Sequence, residues 1–152
     1  MKKQHYYIKQ ITATETYAVR HPVLRPGKPL ASCVFDGDDF ETTIHFGIYE
    51  DQLIGVCSFL KNSNPNFIES AQYQLRGMAV LKSHQGLGVG KALLKYCDSF
   101  LIEKRVELIW CNAREVATNF YITNGFSIFG APFIIKDIGP HFVMKKLLNR
   151  TT

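Results

Sequence analysis

The stretch from Leu75 to Leu94 constrains the fold of this chain more than any other. A strand-like run, Leu75-Arg76-Gly77-Met78-Ala79-Val80-Leu81, feeds a loop with glycines at 86, 88 and 90, and the loop opens a helical pattern. Val89, Ala92, Leu93, Tyr96, Cys97, Phe100 and Leu101 recur at three- and four-residue steps, while Lys91, Lys95, Asp98 and Glu103 take the other face. A helix so patterned must bury one side against a sheet. Its first amides have no intrahelical acceptor, and the positive end of the helix dipole lies behind them. Glycines before such a helix let a ligand approach the backbone closely, so the segment reads as an anion cradle. Lys82, His84 and Lys91 add positive charge nearby.

Three phosphate loops compete for this segment. A Walker A loop requires Gly at 85 and Ser or Thr at 92, where the chain has Gln85 and Ala92. A dinucleotide fingerprint requires a third glycine where Lys91 stands and an acid at the end of the next strand, which reads Trp110-Cys111-Asn112. The third is a Gln/Arg-x-x-Gly-x-Gly/Ala loop, met by Gln85-Gly86-Leu87-Gly88-Val89-Gly90. A glycine-rich turn without a ligand is the fourth reading, because short glycine motifs recur by chance.

The remaining chain supplies a mixed order of elements. Tyr6–Ile11 reads as a strand, and Thr12-Ala13-Thr14-Glu15 has the capping-box pattern that opens a helix. Arg20 to Glu41 reads as a long loop with Pro22, Pro26, Pro29 and the acidic residues Asp36, Asp38, Asp39 and Glu41. Thr43–Tyr49 and Leu53–Leu60 read as a hairpin, Gln72–Leu81 as a third strand and Val106–Cys111 as a short buried one. Glu115–Thr123 reads as a short helix with Asn124-Gly125 as its left-handed cap, followed by strands near Phe126–Phe133 and His141–Leu147. Irregular alternation of this kind predicts an α/β chain of the α+β type, with helices flanking a mixed sheet.

Composition narrows the class. With 152 residues the chain is expected to be one domain, residues 1–152. Hydrophobic residues make up 46% and charged residues 20%, which excludes a disordered or collagen-like chain. The net charge of +5 suits an anionic ligand. No basic stripe with interleaved aromatics appears, so nucleic acid is not an expected partner. Cys33, Cys57, Cys97 and Cys111 lack metal-ligand spacing, so no metal is expected, and Cys57, Cys97 and Cys111 read as reduced core residues suited to a reducing cytoplasm. Residues 1–10 have no apolar segment of the signal-peptide kind, and the longest apolar stretch, Leu53–Leu60, is far below the ~20 residues of a membrane span.

A second segment, Ala113-Arg-Glu-Val-Ala117-Thr-Asn-Phe120-Tyr121-Ile-Thr-Asn-Gly125-Phe126, follows the strand after the glycine-loop helix. Together the two segments resemble the Gcn5-related N-acetyltransferase (GNAT) family: the second is similar to its A-x-x-F-Y-x-x-x-G-F pattern, and the order of the two is the family's order. The resemblance covers about residues 44–147. It implies a mostly antiparallel sheet of about six to seven strands that splays between the strands at 72–81 and 106–111. It implies acetyl-CoA as co-substrate, with its pyrophosphate on the amides of Gln85, Gly86, Leu87, Gly88, Val89, Gly90 and Lys91. Its pantetheine arm would pair with the edge of Met78, Ala79 and Val80, and a backbone amide near Met78 would polarise the thioester carbonyl. Tyr121 would protonate the leaving thiolate as general acid.

The chain also departs from the family. Arg114 stands where many members have an Asn that contacts pantetheine, and an Arg accepts no hydrogen bond, so a phosphate contact is the reading there. The family has no fixed base; His141 is the first candidate here, with Glu69 and His45 behind it. The implied reaction is acetyl transfer to a primary amine, on a small molecule or a peptide, by direct attack in a ternary complex. The acidic run Asp36–Glu41 is expected to attract a cationic acceptor. Homodimers are common in the family, and a non-catalytic acyl-CoA binding module is the competing reading.

Overall fold

The computed structural model describes residues 5–148. Seven strands follow one another in hydrogen-bonding order β1-β2-β3-β4-β5-β7-β6. They are β1 (Tyr7–Ile11), β2 (Ile44–Glu50), β3 (Gln52–Lys61), β4 (Gln72–Val80), β5 (Leu108–Arg114), β6 (Ser127–Ile135) and β7 (Gly139–Leu147). Three helices, α1 (Ala13–Leu24), α2 (Val89–Glu103) and α3 (Thr118–Thr123), accompany them. The β1–β2, β2–β3, β5–β7 and β6–β7 ladders are antiparallel, while β4 and β5 are parallel. The chain divides into two compact units, one holding residues up to Leu60 with Leu75–Ser99, the other Lys61–Gln74 with residues from Phe100 onward.

In the first unit, Thr12 caps α1 as its sequence requires. The Glu15 amide donates to the Thr12 hydroxyl at 3.2 Å, and the Thr12 amide donates to the Glu15 carboxylate at 3.0 Å. The helix then runs through Pro22 to Leu24, past the point where the sequence reading begins a loop. Proline removes one amide donor, but one turn later the Arg25 amide still reaches the His21 carbonyl at 3.1 Å. The following segment holds one 3₁₀ turn, Leu30–Cys33. Asp51 alone joins β2 to β3, in a left-handed conformation with φ 43°. Ile11, Val19, Val56 and Ala79 form a buried cluster under Val23, Leu24 and Leu81, so α1 packs on the face of β3 and β4. The apolar stripe of α2 is buried at Val89, Leu93, Leu94 and Cys97 in this unit.

In the second unit, Phe67, Leu108 and Trp110 form a buried cluster with Val143 against it. The Trp110 indole N–H donates to the Asn62 carbonyl at 2.8 Å, which gives the one tryptophan its polar partner. The β4–β5 ladder is three pairs long, Gln72–Gln74 against Leu108–Trp110, and both strands run on beyond it. The start of that extension is where the sequence reading expects the two strands to part. β4 ends at Val80 rather than Leu81, and β5 occupies 108–114 rather than 106–111. Pairing with β7, which continues to Arg114 opposite His141, carries β5 past the apolar run that marked it in sequence. The helix expected at 115–123 is a 3₁₀ turn, Glu115–Ala117, and then α3. Gly125 at φ 93° closes α3 as expected.

Candidate active site

The glycine loop is built from β4 outward. After Leu81 a 3₁₀ turn, Lys82–His84, leads to Gln85, whose side-chain amide donates back to the Val80 carbonyl at 2.9 Å. Gly86 and Gly88 have φ of 77° and 82°, which side-chain-bearing residues adopt only under strain. A Cβ at either would meet nothing within 4 Å, so these glycines serve backbone geometry and leave open space above the loop. Residues 85–88 are exposed, and the first α2 hydrogen bond runs from the Ala92 amide to the Gly88 carbonyl at 3.0 Å. The amides before Ala92 are those a helix start leaves without an intrahelical acceptor. Exposed amides, open space and a fifteen-residue helix behind them fit a phosphate group. Lys82 and Lys91 are exposed beside this loop, whereas His84 sits 3.2 Å from the Glu50 carboxylate.

Within the same unit Met78 and Val80 are half-buried on β4 and Ala79 is buried. Gly77, just before them, has φ 61°, a left-handed residue inside a strand. A Cβ there would stand 3.1 Å from Arg20 Nε and from the Phe35 ring. The glycine is therefore required by conformation and by close approach at once.

Arg20 organises the space behind Gly77. It is fully buried, and it donates to Asp38 through Nη1 at 2.6 Å and Nη2 at 3.1 Å. Nη1 also reaches the Cys33 carbonyl at 2.8 Å, and Nη2 the Ser58 hydroxyl at 3.0 Å. Ser58 Oγ lies 2.6 Å from His45 Nδ1, and His45 Nε2 lies 2.8 Å from the Asp38 carbonyl. Only one proton arrangement satisfies all of these groups in a neutral imidazole. Nε2–H donates to the carbonyl, and Nδ1 accepts the Ser58 proton. Burial pulls the His45 imidazole below its ordinary value, outweighing the nearby Asp38. Burial alone would raise the Asp38 carboxyl, but hydrogen bonds from Arg20 and the Phe35 amide, with the Arg20 charge, hold it low.

Two sequence expectations change here. His45 has both nitrogens committed, so it has no lone pair for an external proton. Asp38 is internal to the protein and neutralised by Arg20, so the acidic run is reduced to Asp36, Asp39 and Glu41, all exposed. The Arg20–Asp38 pair was missed in sequence because a helical arginine and a loop aspartate eighteen residues apart carry no periodic signal.

In the second unit Tyr121 is buried on α3, with the Phe120 and Phe126 rings edge-on at 5.2 and 5.3 Å. His141 lies on β7, paired with Arg114 of β5 and Phe133 of β6. Its Nδ1 donates to the Gly139 carbonyl at 2.8 Å, which places the lone pair of the neutral ring on Nε2. Arg114 is exposed, and Glu69 is half-buried on the loop before β4. Among the described residues no three His, Cys, Asp or Glu side chains stand together as a metal-ligand set. No described helix is long and apolar enough to cross a membrane.

A family model described as an acetyltransferase (GNAT) domain matches residues 41–128, more than half of the chain and both segments that carry the resemblance. The chain belongs to the GNAT acetyltransferase family. It is thereby an acyltransferase, and this GNAT chain has a relative along nearly its whole length. That relative is the uncharacterized N-acetyltransferase YitI of Bacillus subtilis (strain 168), 37% identical over 143 residues, covering 93% of this chain and 96% of the relative. Two solved structures share the GNAT fold at low identity. The ribosomal-protein-S18-alanine N-acetyltransferase of Escherichia coli is 15% identical, with a TM-score of 0.74 and 97% of each chain covered. An aminoglycoside 6'-N-acetyltransferase complexed with coenzyme A is 12% identical, with a TM-score of 0.75, covering 96% of this chain and 99% of that one.

Proposed function

We propose that this GNAT chain transfers the acetyl group of acetyl-CoA to a primary amine by direct attack in a ternary complex. The observation that carries the reading is the loop at 85–88. Two left-handed glycines with open space above them, at the start of a long helix, support a pyrophosphate site there. Likeness in fold to an enzyme crystallised with coenzyme A supports it.

Each residue has a role in that reading. The amides of Gln85, Gly86, Leu87, Gly88, Val89, Gly90 and Lys91 receive the pyrophosphate. Met78, Ala79 and Val80 pair with the pantetheine amides as an added strand would. The amide at Met78 donates to the thioester oxygen as charge develops there. Acetyl-CoA supplies an activated acyl carbon: the C–N bond to the amine forms and the C–S bond breaks. Tyr121 gives its phenolic proton to the departing thiolate. The ammonium must first lose one proton, which Nε2 of His141 accepts through water, and the second proton shed by the nitrogen after attack replaces the one Tyr121 gave up. Arg114 holds a phosphate.

Release of free thiol from acetyl-CoA across a panel of amines tests the activity. Turnover of at least one primary amine is expected, and binding of acetyl-CoA with no thiol released from any amine overturns the reading in favour of a binding module. Tyr121→Phe tests the acid. General-acid help is worth roughly 10²–10⁴-fold, so kcat falls within that range. A variant with full kcat at every pH removes Tyr121 from the role.

A further inference from the structure

Three guanidinium groups surround one ring in the first unit. Arg20, Arg25 and Arg76 lie 4.1, 5.2 and 5.7 Å from the centre of Phe35. One buried carboxylate serves this cluster, and it is already used. Both Asp38 oxygens are held by Arg20, and one of them also accepts the Phe35 amide at 2.9 Å. Arg76 stands 4.0 Å from the nearer Asp38 oxygen, outside hydrogen-bonding range.

Arg76 is therefore a cation without a full counter-ion. Its side chain is 21% exposed, and among the described residues it makes a single hydrogen bond, from Nη2 to the backbone carbonyl of Asp36. A guanidinium carries five N–H groups in a planar fork, so most of its donors have no protein acceptor. The other charges facing it are Arg20, which repels it, and Asp36, whose carboxylate is exposed; His45 is neutral. Partial burial of a charge without a matched partner is unfavourable, and an anion presented to the free side of the fork offsets that cost.

The position of this fork gives it a use. Arg76 precedes the left-handed Gly77 and lies two residues before Met78 on β4, on the order of 7 Å along a strand. We propose that Arg76 binds a carboxylate on the acceptor, so that the amine acetylated belongs to an anionic, amino-acid-like molecule in which amine and carboxylate are a few bonds apart. The proposal rests on the reading of Met78 given above. It reverses the expectation that the acidic run draws in a cationic acceptor, because the carboxylate at the centre of that run is consumed internally by Arg20.

Paired acceptors test it: amino acids with varied side chains, each compared with its own carboxamide, followed by thiol release. The acid is expected to exceed its amide in kcat/KM by roughly ten- to a hundredfold, the size of one charge-assisted hydrogen bond. In Arg76→Gln that ratio falls towards one while the acetyl-CoA KM is unchanged, and Arg76→Lys keeps part of it. Amides that match or surpass the acids, or a Gln variant that lowers both equally, overturn the proposal. If no amine is turned over, the acetyl-transfer reading fails separately. The Arg76 Nε–H resonance, titrated with N-acetylglycine and with N-acetylglycinamide, then decides the carboxylate site by itself. A shift with the acid alone supports the site, and a shift with both or neither overturns it.

Discussion

Arg20 and Asp38 form a bidentate pair at 2.6 and 3.1 Å, with the guanidinium fully buried. The pair joins α1 to the segment after Cys33, and through Ser58 and His45 it reaches β2 and β3. Removing one partner leaves the other charge buried and unpaired, which costs about 3–5 kcal/mol. Asp38→Asn and Arg20→Met are each expected to lose that much in urea denaturation, and the double variant less than the sum. A loss below about 1 kcal/mol would mean that solvent reaches the pair.

His45 makes stability depend on pH. Its folded pKa is below the ordinary 6.5, because the buried ring is held neutral. The folded protein therefore binds fewer protons than the unfolded chain in this range. The stabilisation is complete above about 6.5 and is lost as pH falls from there towards the folded value. Asp38, whose carboxyl is held below its ordinary 3.8, adds a second loss only in stronger acid, as pH falls through its folded value. Urea midpoints between pH 8 and 5 are expected to decline in the parent chain and to be flatter in His45→Gln.

Gly88→Ala separates backbone geometry from crowding. The added methyl meets no atom within 4 Å, so the cost is the left-handed conformation alone, about 1–2 kcal/mol. Relaxation of that strain moves the loop amides, and the acetyl-CoA KM is expected to rise more than kcat falls. An unchanged KM would take the loop out of the binding site. Gly77→Ala should be worse for folding, since its Cβ also meets Arg20 and Phe35 at 3.1 Å.

The four cysteines should be silent in the native protein. All are free and buried, and burial pushes the Cys111 thiol up to about 12. Cys57 and Cys97 face each other with sulfurs 3.6 Å apart, and the Cys97 thiol is also raised by burial and by its neighbour. A thiol reagent at neutral pH is expected to titrate none of them until denaturant is added, and then all four. Rapid labelling of the native chain would show local opening around β3 and α2.

Several elements follow local rules that the chain itself carries. The capping box at Thr12, the three-and-four spacing of α2, the hairpin around Asp51 and the Gly125 cap each depend on residues within a turn or two of one another. The glycine loop was legible for the same reason: its left-handed turns at Gly86 and Gly88 lie within a few consecutive residues. Local signals along the chain were therefore enough for the family, the sheet-and-helix class and the place of the glycine loop before α2. Proline signals misled at Pro22, because the packing of α1 on the sheet carries the helix past one missing amide.

Which charges are internal depends on contacts between distant segments. Asp38 and Asp39 are adjacent in sequence, yet one is locked to Arg20 and the other faces water. His45 and His141 were both candidate bases in sequence; both ring nitrogens of His45 are hydrogen-bonded within the protein, whereas His141 bonds the Gly139 carbonyl through Nδ1. Arg76 stands 4.0 Å from Asp38 rather than in hydrogen-bond contact, because Arg20, fifty-six residues earlier, holds both carboxylate oxygens. Local propensity is set by neighbours along the chain, but the partner of a buried charge is set by which distant segments the fold brings within about 3 Å.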